Sequence, residues 1–158
     1  MWESDITSIK VKGVYKHLIV IMDIYSRKIR GWSLSHTRTS KDTVTVLKRV
    51  IKARSPSEAM IFHTDRGIEF TGQPFRKERQ KHGIRPSVNR SGKCTDNGHM
   101  ESFFHNLKAE RIRGRVYGTM SDPRGALNGY INQFYNRKRM HSGIGYLSPV
   151  EYEERVVE

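Results

Sequence analysis

The sequence predicts an α/β domain built on a five-stranded mixed sheet flanked by helices. Three segments rich in β-branched and aromatic residues open the chain, with only short turns between them. Helical and strand-like segments then alternate in the order helix, strand, helix, strand. Short turns leave no room for crossover connections, so the first three strands should be antiparallel neighbours, and the later two should join the sheet as parallel strands.

Residue type predicts the first three strands. β-Branched and aromatic residues recur in Ile6 to Val11, Tyr15 to Tyr25 and Lys28 to Leu34. The dipeptide Lys12-Gly13 supplies the first turn, and Ser26-Arg27 supplies the second. We therefore expect a three-stranded antiparallel meander at the start of the chain.

The periodicity then changes to that of a helix. Ser40 is placed to cap it, the residues Val44, Leu47 and Ile51 form one apolar stripe, and Ser55-Pro56 follows its end. A short apolar run, Ala59 to His63, predicts a buried strand.

One more helix and one more strand complete the sheet. Residues 73 to 82 have helical character up to Gly83, and Ile84 to Val88 can form the fifth strand. The polar, glycine-containing segment Asn89 to Lys93 predicts a mobile loop.

Three helices are predicted in the last third of the chain. The first should run from about Asp96 to Arg113, with the side chains of Phe103, Phe104 and Leu107 on its apolar face. A second face of that helix carries Glu101, His105 and Lys108. Ser121 is placed to cap the next helix, whose core stripe is Leu127, Tyr130, Ile131 and Phe134. Ser148-Pro149-Val150-Glu151 is a capping box with proline at the first helical position. The sequence contains no internal repeat and no convincing domain boundary, so residues 1 to 158 are expected to form one domain.

The charge balance indicates a polyanionic partner. Lys and Arg number 29 against 16 Asp and Glu, which gives a net charge of +13 and a pI of about 10.1. Residues 72 to 115 alone hold eleven basic and four acidic side chains. The lone cysteine, Cys94, and the lack of a signal or membrane-spanning segment favour a reducing, cytoplasmic setting without membrane insertion.

Three acidic residues occupy positions that suit metal-assisted phosphodiester chemistry. Asp5 lies within the first strand, Asp65 ends a later strand in His63-Thr64-Asp65-Arg66-Gly67, and Glu101 lies on a helix. Two ions about 4 Å apart need carboxylates from several elements, which leave room for water and phosphate. Strand, strand end and helix can converge at one sheet edge, so these acids are candidate ligands.

A family resemblance supports this choice. Asp65 and Glu101 are separated by 35 residues, which resembles the D,D(35)E signature of retroviral integrases and bacterial insertion-sequence transposases. The surrounding sequences resemble the integrase-core region of transposases encoded by the second reading frame of two-frame insertion sequences. They are Asp23-Ile24-Tyr25-Ser26-Arg27, Gly31-Trp32, His63 to Gly67, Asp96-Asn97, Glu101 to Phe104, Leu107-Lys108, Tyr135-Asn136-Arg137, His141-Ser142, Gly145-Tyr146 and Ser148-Pro149.

The resemblance implies an RNase H-like fold, metal-dependent nicking at element ends and strand transfer into target DNA. It implies that Asp5, Asp65 and Glu101 bind Mg²⁺ or Mn²⁺, and that Lys108 contacts DNA beside the site. The further basic residues expected at DNA are Arg66, Lys93, Arg90 and Arg111. A bacterial protein that acts at the nucleoid, at least as a dimer, is also implied.

This sequence departs from the family pattern in places. Ile68-Glu69-Phe70 stands where Ser-Gln-Tyr is frequent, and Gly98-His99-Met100 stands where small residues are frequent. Family members carry a helical DNA-binding region before the core, and this region is expected to be absent because the chain starts four residues before Asp5. Two other functions stay open: a non-catalytic DNA-binding remnant and an RNase H-type nuclease acting on hybrids.

Other carboxylates and the histidines have structural interpretations. Asp23 is expected to orient Arg27 or end its strand, and Asp96 to cap a helix. The remaining rival carboxylates are Glu69, the hardest to dismiss, and Glu110. Because no zinc-like spacing exists, surface or DNA-contact roles are expected for His63, His99 and His105.

Overall fold

The computed structural model describes residues 1–57 and 59–157 and contains the predicted five-stranded mixed sheet, in the order β3-β2-β1-β4-β5. The first three strands form the antiparallel meander, and β4 and β5 continue the sheet as parallel strands on the other side of β1. Their bounds are β1 Trp2–Val11, β2 Val14–Asp23, β3 Ile29–Ser35, β4 Ile61–Thr64 and β5 Arg85–Val88.

Helices cover both faces of the sheet. They are α1 Ser40–Arg54, α2 Ile68–Thr71, α3 Gln73–Lys81, α4 Gly98–Leu107, α5 Ser121–Asn128 and α6 Pro149–Val157. Two π-helical segments continue α4 and α5, namely Lys108–Ile112 and Gly129–Tyr135, and 3-10 turns occupy Cys94–Asn97 and Ser142–Ile144. The short helix α2 was absent from the sequence prediction. No helix in the described part of the chain is both long and apolar enough to cross a membrane.

Side-chain alternation along β1 divides the core into two clusters. On one face, which we call the α1 face, Trp2 and Ile6 pack with Val46, Leu47 and Phe62. On the other, the α4 face, the buried residues include Ile9 and Val11 of β1, Val20 and Met22 of β2, and Met100, Phe103, Phe104 and Leu107 of α4. The predicted core roles of Phe103, Phe104 and Leu107 are therefore confirmed.

Two of the three serines predicted to cap helices do not do so. Helix α1 is capped by Thr39, whose backbone N–H and hydroxyl donate to the Asp42 carboxylate at 2.8 and 2.7 Å, whereas Ser40 is the first helical residue. Ser121 likewise begins α5 without capping it, and Asp122 accepts the Thr119 N–H at 3.2 Å. The position of an N-cap depends on the residue at which the helix begins. Tertiary contacts determine that residue.

The apolar stripe of the fifth helix also differs from the prediction. Phe134 is only half-buried, and Tyr135 is buried in its place beside Tyr130 and Ile131. The π-helical turn explains the change, because it brings residues five apart onto one face. The capping box at α6 is confirmed, since the Ser148 N–H and hydroxyl both donate to Glu151, at 2.9 and 2.7 Å.

Candidate active site

Strand pairing brings Asp5 and Asp65 together. Strands β1 and β4 run parallel with Ser4 opposite Thr64, so Asp5 and Asp65 are the next residues along two adjacent strands. Met22 is buried on the α4 face and pairs with Glu3, so Glu3 lies on that face. Asp5 is two residues further along β1, and its side chain therefore lies on the same face. Helix α4 packs against β1 on this face and carries Glu101 in its first turn. The fold thus places all three predicted acids around one part of the sheet.

Local hydrogen bonds hold the two aspartates. The Ile6 N–H donates to Asp5 Oδ1 at 2.7 Å, and the Gly67 N–H donates to Asp65 Oδ1 at 2.9 Å. A Cβ at position 67 would lie 2.5 Å from Glu69 Oε2 and 2.9 Å from Asp65 Oδ1. A larger residue there would displace one of the two carboxylates.

The charges of the other two acids influence the carboxyl of Asp5. Burial raises the pKa of Asp5 to about 6, and the charges of Asp65 and Glu101 add to the rise. The Ile6 N–H and the Arg38 charge oppose it. Asp5 is half-buried, whereas Glu101 is exposed and has no hydrogen-bond partner among the described residues. The carboxylate of Asp5 is therefore held by the sheet, whereas that of Glu101 is exposed to solvent.

The donor set fits a hard divalent cation, although it is not drawn together in this structure. Within residues 1–57 and 59–157, no three His, Cys, Asp or Glu side chains form a ready-made metal site. Burial is the main cause of the raised pKa of Asp5, and the negative charges of Asp65 and Glu101 add to it, so closer approach of the carboxylates is disfavoured. A bound Mg²⁺ ion would offset the repulsion between these carboxylate oxygens.

A fourth carboxylate, Glu3, was not predicted. Its side chain is buried on the α4 face, and its Oε1 has no hydrogen-bond partner among the described residues. Burial raises the pKa of Glu3 to about 7, the backbone N–H of Met100 and the charge of Arg27 oppose the rise, and Asp5 and Glu101 add to it. The two-residue alternation shared with Asp5 was the signal that could have revealed Glu3.

Glu69 lies beside the site and has a partner of its own. Its buried carboxylate forms an ion pair with Arg38, while Oε2 lacks a hydrogen bond within the described structure. Glu69 lies close to Asp65, on the other side of Gly67. Arg38 provides positive charge at the edge of the acid cluster.

The other rival carboxylates have structural partners. Asp23 ends β2 as predicted, but it binds Arg30, at 3.0 Å, and not Arg27. Asp96 does not cap α4, which begins at Gly98 after Asn97, because Arg90 holds its carboxylate through three hydrogen bonds. This pairing lowers the pKa of Asp96 far below its usual range. Glu110 pairs with Arg139 at 2.6 Å.

The surface role predicted for His63 is wrong. His63 is buried in β4, where its Nδ1 and Nε2 lie 2.8 Å from Ser87 Oγ and Asn89 Oδ1, respectively. These two contacts join β4 to β5 and to the loop that follows β5, because the pairing of the two strands directs the His63 ring toward both partners. His99 and His105 are exposed, as predicted.

Three of the basic residues predicted at DNA line one cavity. Arg66, Arg90 and Lys93 are exposed around a cavity of about 370 Å³, and Arg66 Nε donates to the Asn89 carbonyl at 3.0 Å. Lys108 is half-buried at the start of the π-helical segment, two turns beyond Glu101. Arg111 instead lines a separate cavity, with its guanidinium 5.9 Å from the Tyr130 ring centroid.

A five-stranded mixed sheet covered by helices, with acids from β1, the end of β4 and α4, defines an RNase H-like catalytic-core fold. The chain belongs to the integrase core domain family, whose models match residues 1–94 and 101–157. It is 34% identical over 154 residues to the transposase InsF for insertion sequence IS3A of Escherichia coli strain K12, covering 98% of this chain and 54% of the relative. It is also 34% identical over 154 residues to the transposase for insertion sequence element IS904 of Lactococcus lactis, covering 98% of this chain and 61% of that relative. The chain spans about half the length of the curated relatives it matches.

Solved structures share the fold at low identity. The HTLV-2 integrase catalytic core domain in complex with magnesium, in its trimeric form, has a TM-score of 0.73 at 19% identity, with 96% of this chain and 93% of that chain covered. The catalytic core domain of BIV integrase has a TM-score of 0.67 at 18% identity, with 99% and 95% covered. The predicted RNase H-like fold and family resemblance are confirmed.

Proposed function

We propose that this chain is the catalytic core of a DNA transposase, a metal-dependent polynucleotidyl transferase. Water would be the nucleophile for nicking, and a 3′-hydroxyl would be the nucleophile for strand transfer. The supporting observation is the convergence of Asp5, Asp65 and Glu101 on one face of the sheet, where their charges interact. The relatives named as transposases support the same function.

Asp5, Asp65 and Glu101 would hold Mg²⁺ or Mn²⁺. When bound, such ions activate an attacking oxygen and stabilise a leaving oxygen in phosphodiester chemistry. Asp5 offers a carboxylate fixed by the sheet, and the Gly67 N–H fixes the orientation of Asp65. Glu101 is exposed on its helix and can turn toward both aspartates.

Basic side chains would position the DNA backbone. Lys108 lies on the same helix as Glu101, and Arg66 and Lys93 surround the neighbouring cavity. We include Arg90, which Asp96 orients, and Arg111 in the same set. Contacts of this kind are made to phosphates, so DNA binding by the core should weaken steeply with salt and show little sequence preference.

A nicking assay on supercoiled plasmid tests the proposal, because it needs no particular element end. We expect metal-dependent nicking with Mg²⁺ or Mn²⁺ that falls by about 100-fold or more in Asp65→Asn and Glu101→Gln. The matched control is Glu154→Gln, an exposed glutamate on α6, which should nick like the wild type.

Three outcomes would change the assignment. DNA binding without metal-dependent products would favour the non-catalytic remnant, and cleavage confined to RNA–DNA hybrids would favour an RNase H-type nuclease. Equal nicking by Glu101→Gln and Glu154→Gln would remove Glu101 from the site. Calorimetry with Mn²⁺ adds a readout independent of turnover, in which Asp65→Asn should lose binding.

We further propose that the core acts at least as a dimer on DNA in the bacterial cytoplasm, since transposition must bring two element ends together. The solved integrase cores named as dimeric and trimeric forms are consistent with self-association in this fold. Light scattering after size-exclusion chromatography, with and without DNA, measures the mass of the assembly.

A further inference from the structure

A polar cavity lies beside the acid cluster and takes no part in the proposed chemistry. It measures about 260 Å³ and is bordered by the turn between β2 and β3, by α4 and by the 3-10 turn at Ser142–Ile144. Its polar lining consists of Arg27, His99, Ser102, Asn106, His141 and Ser142. No Asp or Glu of the described residues lines it.

Arg27 has the environment of an unsatisfied cation. It is half-buried, yet it forms no ion pair among the residues that the structure describes, whereas Arg30 nearby binds both Asp23 and Glu153. A Cβ at Gly143 would lie 3.5 Å from Arg27 Nη2, so the guanidinium reaches across the cavity to the 3-10 turn. The charge of Arg27 influences the buried carboxyl of Glu3, but no salt bridge among the described residues holds the guanidinium, which can therefore bind an external anion.

The turn that presents Arg27 is held firmly. Arg27 has a φ of 62°, a left-handed conformation that costs free energy for any side chain other than glycine. Ser26 Oγ and Lys28 Nζ donate to Glu153 at 2.8 and 2.9 Å. The Asn136 side chain bonds both backbone groups of Ile29, at 2.9 and 3.0 Å. The fold maintains an unfavourable backbone conformation that directs a guanidinium into the cavity.

The rest of the lining suits an anion. Ser102, Asn106 and Ser142 can donate hydrogen bonds, and the Nε2 atom of His141 is buried without a partner in the described part of the chain. Burial lowers the pKa of His141 to about 4, with the charges of Arg139 and Arg27 adding to the effect. His141 is therefore neutral near pH 7 and can donate one hydrogen bond.

We propose that this cavity, the Arg27 pocket, binds a backbone phosphate of the DNA strand that enters the acid cluster. Ser102 directly follows Glu101 on α4, so the pocket and the cluster share a helix turn. The inference rests on the proposed function, because it assigns the occupant to the DNA substrate. The bound phosphate would fix the distance between the strand and Glu101.

Salt-dependent DNA binding tests the Arg27 pocket without any turnover. In metal-free buffer, fluorescence anisotropy with a labelled duplex gives the slope of log K against log salt. Arg27→Gln should reduce the magnitude of this slope by about 0.9, the value for one lost phosphate contact, and weaken binding by about 10-fold near 0.1 M salt. Arg27→Lys should restore part of the slope.

Arg54→Gln is the matched control, because Arg54 is exposed at the end of α1, which packs on the opposite face of the sheet. Equal slopes for wild type, Arg27→Gln and Arg54→Gln would overturn the proposal. Thermal melting checks that the variants fold, and Gln meets the same backbone conformation as Arg at position 27.

Inorganic phosphate separates the two sources of the anion. In nitrogen-15 spectra, both the duplex and inorganic phosphate should shift the amide signals of Ser102 and Ser142, and Arg27→Gln should abolish both shifts. Shifts by phosphate but not by DNA would assign the pocket to a free anion and overturn the DNA assignment. If the protein nicks no substrate but the slope change remains, the phosphate site stands and the catalytic proposal fails.

Discussion

The two faces of β1 differ in what they do for the protein. On the α1 face, Trp2 and Ile6 are buried among apolar side chains, and the hydroxyl of Ser4 donates to the Val20 carbonyl at 2.7 Å. On the α4 face, Glu3 and Asp5 alternate with them, and both have raised pKa values. The first six residues of this strand therefore place apolar side chains on one face and two carboxyls on the other, whereas Ile9 and Val11 further along add to the core of the α4 face. Truncating an apolar side chain on the α1 face and neutralising a carboxyl on the α4 face should change stability in opposite directions.

The largest effect is expected on the α1 face. Phe62 is buried opposite Trp2, with ring centroids 6.5 Å apart, and it also packs on Phe75 at 5.4 Å. Phe62→Ala should lower the free energy of unfolding by about 3–5 kcal/mol, because it leaves a cavity among aromatic rings. Urea denaturation measures the change. Ile68→Ala, at a side chain 77% exposed, should change stability by less than about 0.5 kcal/mol. Similar losses in both variants would contradict this assignment of the core.

The second effect, expected for Glu3→Gln, is an increase in stability. Glu3 retains its proton in the folded chain up to a pKa of about 7, whereas the unfolded chain releases it near 4.5. Between these values the folded state binds more protons, so stability falls as pH rises through this window. Glu3→Gln should raise the free energy of unfolding by about 1–3 kcal/mol at pH 8 and should have little effect at pH 4. A gain that is equal at both pH values would exclude repulsion and desolvation as its cause.

The smallest effect is expected at Asp5, where the pKa rises from 3.8 to about 6. Without metal, Asp5→Asn should stabilise the protein above pH 6 by about 1–2 kcal/mol and not below pH 4, by the same sign rule. Mn²⁺ sharpens the comparison, because a bound ion stabilises only the state that binds it. The wild-type melting temperature should rise with Mn²⁺, and that of Asp5→Asn should not. A rise in both would remove Asp5 from the ligand set.

The sequence predicted features that depend on neighbouring residues. The antiparallel meander and the Ser148 capping box are local, and both were confirmed. The π-helical turn that buries Tyr135 in place of Phe134 was not predicted, because an amphipathic pattern is identified by assuming 3.6 residues per turn. Local propensity carries no information about such a change of pitch.

Parts of the candidate site depend on residues far apart in the chain, and these were harder to predict. The carboxylate of Glu3 is buried against the backbone of Met100, and Asp23 binds Arg30 because Glu153 from α6 completes that cluster. The burial of His63 was not predicted, because its partners Ser87 and Asn89 become neighbours only when β5 pairs with β4. Asp5, Asp65 and Glu101 were proposed from the family resemblance and because strand ends and a helix can converge at a sheet edge, and their role as metal ligands stays a prediction.

The pairing of β1 with β4 also determines when the acid cluster can exist. Strands β1 to β3 are joined by short turns, so their contacts close small loops and should form early during folding. Asp65 reaches Asp5 only after α1 has folded back and β4 has docked beside β1, which closes a much longer loop. Partly folded chains, including those still being synthesised, would therefore lack a complete acid cluster while their basic residues could already attract DNA. Under the proposed function, encounters of such chains with DNA would be limited to reversible binding.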